Sequence, residues 1–507
     1  MVAETYDLLV IGGGINGAGI ARDAAGRGLS VLLVERDDLA AHTSSASTKL
    51  IHGGLRYLEY YEFRLVREAL QERERLLEIA PHLIAPLRFV LPLPEGGRPG
   101  WMIRLGLWLY DHLGGRVSLP GSRTVRLTDP GFAGGLKPSI VKAFTYSDCR
   151  VDDARLVVAN AMDAAARGAT ILTGVAATGA RPVEGLWEVD LAANPERPAP
   201  LRAPPGQVRA RALVNAAGPW VSSMLGEIGE VRRDGRVRLV KGSHIVVPRR
   251  YEGDHAFLFQ NPDGRIMFTI PYQQGFTLIG TTDVVVGEDE RAKPAISDAE
   301  IDYLVAGAND YLANPVSRAE IVWAYSGVRP LFDDGRADAK AITRDYVLKL
   351  GRDSVPQVLS VFGGKLTTYR RLAEHALDDL KPWLAPMGPG WTDEQALPGG
   401  DIPGGDKDEL LRDVQERWPF LGLAQAERLA HAYGSRVERV LGAARDWPGL
   451  GEDFGAGLTA AEVDYLCGHE WARSAEDILW RRTKLGLVCP PGTTERLEAY
   501  LHGRGQG

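Results

Sequence analysis

A glycine-rich turn near the start of the chain constrains its fold more than any other feature. An apolar stretch at residues 8–11 runs into this turn, and a helix-forming segment of small residues, a second apolar stretch at 31–34 and Glu35 follow. Three glycines carry the turn at GxGxxG spacing: Gly12, Gly14 and Gly17. In this order the features form the βαβ fingerprint of a dinucleotide site, in which the turn cradles a pyrophosphate at a helix N-terminus and the acid meets a ribose.

The fingerprint alone does not separate FAD from NAD, and no second copy of it occurs in the chain. The nearest other candidate, residues 449–455, has different glycine spacing and follows Trp447 and Pro448 instead of a strand. A single site predicts one tightly held cofactor rather than a flavoprotein that also takes up a nicotinamide.

The bulk properties are those of an ordinary globular protein of two or three domains, with 507 residues of which 45% are hydrophobic and 25% charged. A net charge of −7 argues against bulk nucleic-acid binding. Three distant cysteines indicate a reducing compartment, without disulfides or a thiolate metal site. Tyr6 already begins a core strand, so no signal peptide is expected, and no apolar run reaches the roughly 18 residues of a transmembrane helix. The expected location is cytosolic or peripheral to a membrane.

Periodicity divides the rest of the chain into four parts. Mixed helices and strands precede several short alternating strands at 237–283, which are typical of an antiparallel sheet. A strand, two glycines and a helix recur at 357–380, and a Pro- and Gly-rich stretch at 385–406 marks a boundary before a run of amphipathic helices. The earlier elements are predicted helices at 61–79 and 152–167 and strands at 169–172 and 212–215.

Three segments could contact a dinucleotide. The polar loop at 43–49 offers hydroxyls and N–H groups to phosphate and ribityl oxygens, the strand at 213–219 ends in small residues, and the turn at 360–368 presents backbone N–H groups to a ring or carbonyl. The last segment lacks the GxxxxGK[ST] phosphate loop, because Leu366 follows Lys365. Taken singly, each segment fits a plain surface loop or strand-to-helix turn equally well.

Basic and polar residues at predicted strand or loop ends form a fourth group: Arg56, Tyr57, His244, Thr281, Arg329 and Arg344. The planar fork of an arginine suits phosphate, although a single arginine is usually a surface residue. Arg329 stands between an apolar run and a proline, which favours a pocket position.

The segment at 101–110 is apolar nearly all round and contains two tryptophans. Its pattern favours a buried helix, with a helix lying in a membrane interface as the alternative.

Together these segments resemble the aerobic, respiratory FAD-dependent glycerol-3-phosphate dehydrogenases over nearly the whole chain. The similarity is carried by DLLVIGGGINGAGIARDAAGRGLSV, TSSASTKLIHGGLRYLEYYEFRLVREAL, YSDCRVDDARLV, KGSHIVVP, IGTTDV, YSGVRPL, AITRDY, SVFGGKLTTYR, LGEDFG and HEWARSAEDILWRRTKLGL.

The resemblance implies an α/β fold in which a glutathione-reductase-like Rossmann domain that binds FAD is interleaved with an antiparallel β substrate domain, as in amino-acid oxidases, followed by an all-α C-terminal domain. On this basis we expect the FAD domain at 1–80, 140–235 and 340–385, the substrate domain at 81–139 and 236–339, and the helical domain at 400–507.

Non-covalent FAD is implied, since no cysteine lies in a matching motif. The implied FAD contacts are Gly12, Gly14, Gly17, Glu35, Thr43, Ser44, Ser45, Lys49, Ala177, Gly218, Gly363, Gly364, Leu366, Thr367 and Thr368. The implied substrate contacts are Arg56, Tyr57, His244, Thr281, Arg329, Arg344 and Lys365, and the choice of Thr281 over Thr282 is open. No metal is expected.

The resemblance also implies oxidation of sn-glycerol 3-phosphate to dihydroxyacetone phosphate by hydride transfer from C2 to flavin N5, with electrons passed to ubiquinone or menaquinone in the respiratory chain. Arg329 would help to clamp the phosphate, and the catalytic base is His244 or, as the second choice, Lys365. The expected location is peripheral, on the cytoplasmic face of the inner membrane, with Arg370, Arg371 or residues 101–110 at the bilayer. The family is compatible with a homodimer.

Three alternatives stay open at this point. The first is a glycerol-3-phosphate oxidase that uses O2, although the mid-chain insertion typical of those relatives is not evident. The second is a non-redox flavin-binding membrane scaffold, which leaves the basic residues unexplained. The third, an RNA-modifying flavoenzyme, lacks a basic face and a catalytic cysteine motif.

Overall fold

The computed structural model of the protein describes residues 4–93, 99–115, 118–129, 131–132, 134–200, 204–229, 236–333, 345–351 and 356–504. The strands are β1 (Thr5–Ile11), β2 (Val31–Glu35), β3 (Leu50–Ile51), β4 (Ile84–Pro92), β5 (Arg123–Arg126), β6 (Lys142–Val151), β7 (Thr170–Thr173), β8 (Val175–Val183), β9 (Leu186–Ala193), β10 (Gln207–Asn215), β11 (Val237–Pro248), β12 (Ala256–Gln260), β13 (Ile266–Tyr272), β14 (Phe276–Gly280), β15 (Val284–Val285), β16 (Trp323–Phe332), β17 (Val347–Leu350) and β18 (Gln357–Phe362). The helices are α1 (Ile15–Gly26), α2 (Phe63–Ile79), α3 (Gly100–Leu113), α4 (Asp153–Ala166), α5 (Val221–Glu227), α6 (Asp298–Asn309), α7 (Tyr369–Leu380), α8 (Lys407–Arg417), α9 (Leu423–Tyr433), α10 (Val437–Leu441), α11 (Ala460–His469) and α12 (Thr493–Arg504).

The first sheet is built on parallel strands in the order β18-β10-β1-β2-β7, with β17 antiparallel at one edge and the hairpin β8–β9 continuing from β10. Its central strands are apolar runs buried along nearly their whole length, as expected of parallel strands covered on both faces. Helices α1, α4 and α7 pack on one face, and small residues in α1 let them approach closely. The predicted Rossmann architecture is confirmed.

The second sheet runs β15-β11-β14-β13-β12-β4-β6-β3, with β16 beside β11 and β5 beside β6, and its pairs are antiparallel except β4–β12. Strand β6 therefore belongs to this sheet, whereas the predicted boundaries placed 140–235 in the FAD domain. The difference arises because the chain crosses between the sheets more often than composition reveals: β3 and β6 pair within the second sheet, although both lie in ranges predicted for the FAD domain.

Helix α3 is not the buried helix that its apolar pattern favours. Only Leu107 and Tyr110 are fully buried, while Trp101 is 72% exposed and Trp108 50% exposed. An apolar composition does not report which face finds a partner, and here one face of α3 has none among the described residues. No helix in the described ranges is long and apolar enough to cross a membrane.

The last hundred residues form helices around their own apolar core, as predicted. A buried ion-pair cluster joins them to the first sheet. Asp38, just after β2, accepts hydrogen bonds from Arg481 and Arg482 at 2.7 Å, and all three side chains are nearly inaccessible to solvent. Arg155 of α4 makes a matching pair with Glu470 at 2.8 Å. These charges are buried as partners, which avoids the large cost of an unpaired buried charge.

Candidate active site

The backbone around the glycines of the first turn leaves no space for a side chain. A Cβ on Gly17 would lie 1.9 Å from the carbonyl oxygen of Gly12, so helix α1 could not pack at this distance from β1. Gly12 itself has a φ of +112°, and its Cβ would lie 2.5 Å from the carbonyl oxygen of Ala216 at the end of β10. The turn is therefore closed to any side chain, and its surface is backbone, as a pyrophosphate cradle requires.

Glu35 ends β2 beside this turn and is buried. One carboxylate oxygen accepts a hydrogen bond from the Gly13 N–H and the other from the Asp37 N–H, each at 2.7 Å. Burial raises the pKa of the carboxyl group above its ordinary value. The remaining lone pairs of this anchored carboxylate can accept from ribose hydroxyls.

The polar loop predicted to wrap the cofactor lies against both sheets. Ser44 Oγ accepts a hydrogen bond from the Ile15 N–H at 3.0 Å, beside the start of α1. Thr43 Oγ1 donates to the Val328 carbonyl on β16 at 2.7 Å. Lys49 is turned away from the cradle, because its Nζ donates to the Ser45 carbonyl and to Asp153 at 2.8 Å. The expected contact of Lys49 with the flavin stays a prediction. In the structure, the Lys49 side chain holds the polar loop against α4.

The turn after β18 closes on the same region. Asn16 Nδ2, in the first turn of α1, donates to the Gly363 carbonyl at 3.0 Å, whereas its buried Oδ1 has no hydrogen-bond partner among the described residues. Thr367 Oγ1 accepts from the His52 N–H at 3.2 Å, which ties the turn to the segment after β3. The side-chain-free turn, the anchored acid and an orphaned acceptor fit a dinucleotide that runs from β2 toward Gly363 and Gly364.

His244 lies on β11 opposite Tyr325 of β16, and its ring stacks on that tyrosine with centroids 4.8 Å apart. Its Nε2 is 3.0 Å from Thr48 Oγ1, and its buried Nδ1 has no partner among the described residues. Burial lowers the pKa of His244 well below its ordinary value, and the positive charges of Lys49 and Arg329 lower it further. The imidazole is thus neutral at pH 7 and can accept a proton.

Arg329 lies on the same strand pair, four residues along β16 from Tyr325. Its guanidinium is half-buried, forms an ion pair with Asp283 and donates to Thr281 Oγ1 at 3.3 Å. Thr282 is buried, and its hydroxyl is held by Glu300 at 2.7 Å. Of the two threonines, Thr281 therefore has the hydroxyl that lies beside the arginine.

A second basic group lies near the segment after β3. Lys365 Nζ lies 4.0 Å from the ring centroid of Tyr57. Burial lowers the pKa of the neighbouring His52, and the positive charge of Lys365 lowers it further. Arg56 is half-buried, with Nη2 3.4 Å from Tyr60 Oη. His52 and Thr48 lie at the two ends of β3, so this strand links the group to His244.

The other predicted cofactor contacts are half-buried or buried, and one predicted substrate contact is not described. Ala177 and Gly218 are half-buried in β8 and just after β10, Leu366 is half-buried, and Thr368 is buried at the start of α7. Arg344 lies outside the described residues. Of the two arginines considered for membrane contact, Arg370 is 2% exposed and paired with Glu72 and Glu374, so the prediction is wrong for Arg370; the side chain of Arg371 is 42% exposed, and its contact stays a prediction. A residue of α7 that faces α2 cannot reach a bilayer.

Sequence reasoning missed three neighbours of the site. Tyr325 carries a readable signal, because alternation along β16 places it on the same face as Arg329. Asn16 lies two residues after Gly14, within the fingerprint itself. Asp283 carries no such signal, since it meets Arg329 only through the pairing of distant strands.

Two family models match the chain. One, described as FAD dependent oxidoreductase, matches residues 7–370, and the other, the C-terminal domain of alpha-glycerophosphate oxidase, matches residues 391–501. These two ranges meet near the Pro- and Gly-rich boundary predicted from composition.

Curated relatives cover nearly the full length. A glycerol-3-phosphate dehydrogenase of Pseudomonas aeruginosa is 52% identical over 501 residues (99% of this chain, 96% of the relative), and the aerobic glycerol-3-phosphate dehydrogenase of Escherichia coli is 52% identical over 502 residues (98% and 97%). A D-erythritol 1-phosphate dehydrogenase of Brucella abortus is 49% identical over 484 residues (95% and 94%). Among solved structures, the FAD complex of a Bacillus halodurans glycerol-3-phosphate dehydrogenase aligns with a TM-score of 0.72 and 27% identity, covering 98% of this chain and 94% of that one.

Proposed function

The chain belongs to the family of FAD-dependent glycerol-3-phosphate dehydrogenases, and we propose from this premise that it oxidises sn-glycerol 3-phosphate to dihydroxyacetone phosphate and delivers the electrons to a membrane quinone, ubiquinone or menaquinone. The observation that carries the proposal is the pairing of β11 with β16, which sets a neutral, buried histidine and a half-buried arginine on one strand pair beside the cofactor loop. FAD, when bound, supplies the acceptor for the hydride that leaves C2 of the substrate.

The substrate phosphate binds the guanidinium of Arg329, with Thr281 as a neighbouring donor. A dianionic phosphate competes for this guanidinium with Asp283, its present partner, and gains two parallel hydrogen bonds from the arginine fork. Arg56 and Lys365 add positive charge from the segment after β3 and from the turn after β18. Four groups on separate elements thus fix the phosphate and orient the rest of a small substrate.

The proton of the C2 hydroxyl passes to His244 as the hydride leaves. In the tautomer in which Nε2 donates to Thr48 Oγ1, Nδ1 carries no hydrogen; it has no partner among the described residues and can accept the proton. The stacked ring of Tyr325 fixes the imidazole plane and excludes water from it. Lys365, the second candidate base, is held over Tyr57 and is assigned here to the charge of the phosphate and of the developing alkoxide.

An anaerobic titration tests the proposal. Purified protein with bound FAD is expected to lose its flavin absorbance when sn-glycerol 3-phosphate is added and to keep it when inorganic phosphate is added. D-Erythritol 1-phosphate serves as the comparison substrate, because it also carries a phosphate and secondary alcohols and is named in a relative 49% identical to this chain. A higher kcat/KM for the erythritol ester would overturn the substrate assignment while leaving the chemistry intact.

The electron acceptor is tested separately from the substrate. Turnover with a short-chain ubiquinone is expected to exceed turnover with air, without stoichiometric hydrogen peroxide. Peroxide equal to the product formed, with no stimulation by quinone, would identify an oxidase instead.

The membrane contact is assigned to α3 and the neighbouring turn Leu55–Tyr60, which pack against each other. The two elements and the start of α2 expose large apolar side chains on the protein surface: Tyr60, Tyr61, Phe63, Trp101, Met102, Leu105 and Trp108. An apolar patch of this extent marks an interaction site, and tryptophans suit the headgroup level of a bilayer. Arg56 and Tyr57 lie in the same turn, so the proposed substrate site opens beside the membrane.

Vesicle binding tests this surface. The double variant W101S/W108S is expected to bind phosphatidylglycerol–phosphatidylethanolamine vesicles at least tenfold more weakly than the unmodified protein, since two large apolar side chains no longer leave water on binding. Trp383→Ser is the control, because Trp383 is a partly exposed tryptophan (36%) that lies after α7, outside the proposed membrane surface. Equal loss in both variants would contradict the assignment.

A further inference from the structure

A cleft of about 1430 Å³ separates the C-terminal helices from the second sheet and the start of α4. Helices α8 and α9 form one wall, and strands β6 and β13 contribute to the other. Much of the lining is apolar, including Ile270, Leu278, Leu410, Leu411, Leu487 and Val488. The cleft is distinct from the residues assigned to substrate and flavin, apart from Lys49 at its inner end.

Four basic side chains line one part of this cleft: His82, Arg150, Lys407 and His431. Backbone contacts bring the first three together. Lys407 Nζ donates to the Ile84 carbonyl at 3.1 Å, Ala85 pairs with Arg150 across β4 and β6, and His82 lies two residues before Ile84.

His431 joins the group from α9. Its neighbour Ala432 accepts a hydrogen bond at 2.6 Å from Arg155, a residue in the first turn of α4 that also pairs with Glu470. Although its side chain reaches solvent, desolvation between the walls of the cleft lowers the pKa of His431 to about 4, with Asp152 opposing this shift and Arg150, Lys407 and Arg155 adding to it. The pKa of His82 is lowered for the same reasons, burial first and then Arg155, His431 and Lys407. Both imidazoles are therefore neutral at pH 7, and the positive charge of the group comes from Arg150 and Lys407, whose fields lower the pKa of His431.

The acids nearby do not neutralise this positive charge. Asp152 accepts the Arg155 N–H at 3.2 Å as the cap of α4 and lies 3.9 Å from Lys484 Nζ, so its charge is already engaged. Neither Arg150 nor Lys407 has a carboxylate within 4 Å among the described residues, although four other acids line the cleft: Asp254, Asp408, Glu427 and Asp453. His82 is 2% exposed, and its Nδ1 has no hydrogen-bond partner in the described ranges.

We propose that this cleft is a second ligand site, which binds a phosphate monoester with its phosphate among His82, Arg150, Lys407 and His431 and its organic part against the apolar walls. Phosphate suits the group because it is small, carries close to two negative charges and accepts several hydrogen bonds at once. The size and apolar lining of the cleft leave room for an organic part far larger than the phosphate. The proposal does not rest on the oxidation of glycerol 3-phosphate.

Equilibrium dialysis of the FAD-loaded protein against radiolabelled inorganic phosphate tests the charged end. The double variant R150Q/K407Q is expected to bind one phosphate per chain fewer than the unmodified protein, with kcat/KM for sn-glycerol 3-phosphate unchanged within twofold. The comparison counts a difference, so any phosphate held at the catalytic site cancels. Equal stoichiometry in the two proteins overturns the proposal.

Two further variants test whether the lost phosphate is bound by these four basic residues. R126Q/K142Q removes two exposed charges from β5 and β6 away from the cleft, and it is expected to bind as many phosphates as the unmodified protein. His431→Glu places a carboxylate among the basic groups at an exposed position of α9 and is expected to lose one phosphate, like R150Q/K407Q. Retention of that phosphate by H431E, or its loss from R126Q/K142Q, overturns the assignment to these four residues.

The apolar walls are tested with n-butyl phosphate. It is expected to bind this site at least tenfold more tightly than inorganic phosphate, and R150Q/K407Q is expected to lose this binding. Equal affinities of the two ligands would overturn the claim that the walls hold an organic part.

Discussion

The cofactor cradle and the proposed substrate site are each suited to phosphate, yet the first offers backbone groups and the second offers side chains. The cradle is backbone: Gly12 and Gly17 leave no space for a Cβ, and helix α1 presents its N-terminus. The proposed substrate site is formed by side chains, with Arg329 on β16 and Lys365 after β18. Backbone donors cannot be removed by mutation, so the cradle is vulnerable to added volume, whereas the substrate site is vulnerable to lost charge.

Gly17→Ala tests the steric half of this comparison and has the largest expected effect. The new methyl group would stand 1.9 Å from the Gly12 carbonyl oxygen, so α1 must move away from β1. The purified variant is expected to retain no FAD, measured as the ratio of flavin to protein absorbance. Gly106→Ala in α3, where a Cβ meets no atom within 4 Å, is expected to keep its FAD. FAD retention by G17A would show that the turn tolerates a side chain.

Arg329→Gln tests the charged half. Loss of two charge-assisted hydrogen bonds to a buried phosphate is expected to lower kcat/KM for glycerol 3-phosphate about 10³-fold while the FAD content stays unchanged. Arg329→Lys keeps the charge without the fork and is expected to recover part of the loss. If R329Q also lost its FAD, the two sites would not be separable in the way described.

His244→Asn removes the proposed base with little change in volume. Anaerobic stopped-flow reduction is expected to slow by about 10²-fold, within the range for general-base catalysis, with substrate affinity little changed. Because the pKa of His244 is lowered in the folded protein, its protonation limits kcat/KM only well below pH 6.5, and this acid limb is expected to vanish in the variant. The same shift costs stability as the pH falls below the unfolded pKa of about 6.5 and has no effect above it. An unchanged rate of reduction would exclude the role.

Glu35→Gln has the smallest expected effect of the four. Both carboxylate oxygens accept from backbone N–H groups, and an amide can offer only one acceptor oxygen to Gly13 and Asp37. FAD is expected to dissociate about tenfold more readily, which flavin fluorescence after dilution would measure. Glu188→Gln, a pair-forming acid on β9, is the control. A variant with unaltered FAD affinity would show that the acid serves the turn alone.

The first sheet could be predicted closely because its information is local. The fingerprint, strand and glycine spacing at residues 8–35 lie within one βαβ unit, and the apolar runs at 212–215 and 357–362 read as buried strands. The candidate site was harder, since its groups meet through pairings such as β11 with β16 and contacts such as Thr48 with His244, which are 196 residues apart. The positions of these residues at predicted strand or loop ends grouped them, but only the resemblance to a family assigned them to one site.

Other features could not be predicted because the composition of a segment does not show which residues pack against it. Helix α3 and a buried helix share the same apolar pattern, and only the surrounding fold decides which face is exposed. Similarly, Arg370 looks like a surface arginine of α7, but acids on α2 and on α7 itself surround it. The basic end of the cleft is formed by residues between positions 82 and 431, and no sequence motif relates residues that are so far apart in the chain.

The junction of Asp38 with Arg481 and Arg482 has a consequence for biosynthesis. The segment that follows β2 lies beside the flavin cradle, and its buried carboxylate is neutralised by arginines 443 and 444 residues later. A ribosome must therefore translate more than 440 further residues before Asp38 meets its counter-charges. The junction is thus completed long after the glycine fingerprint beside it has been translated.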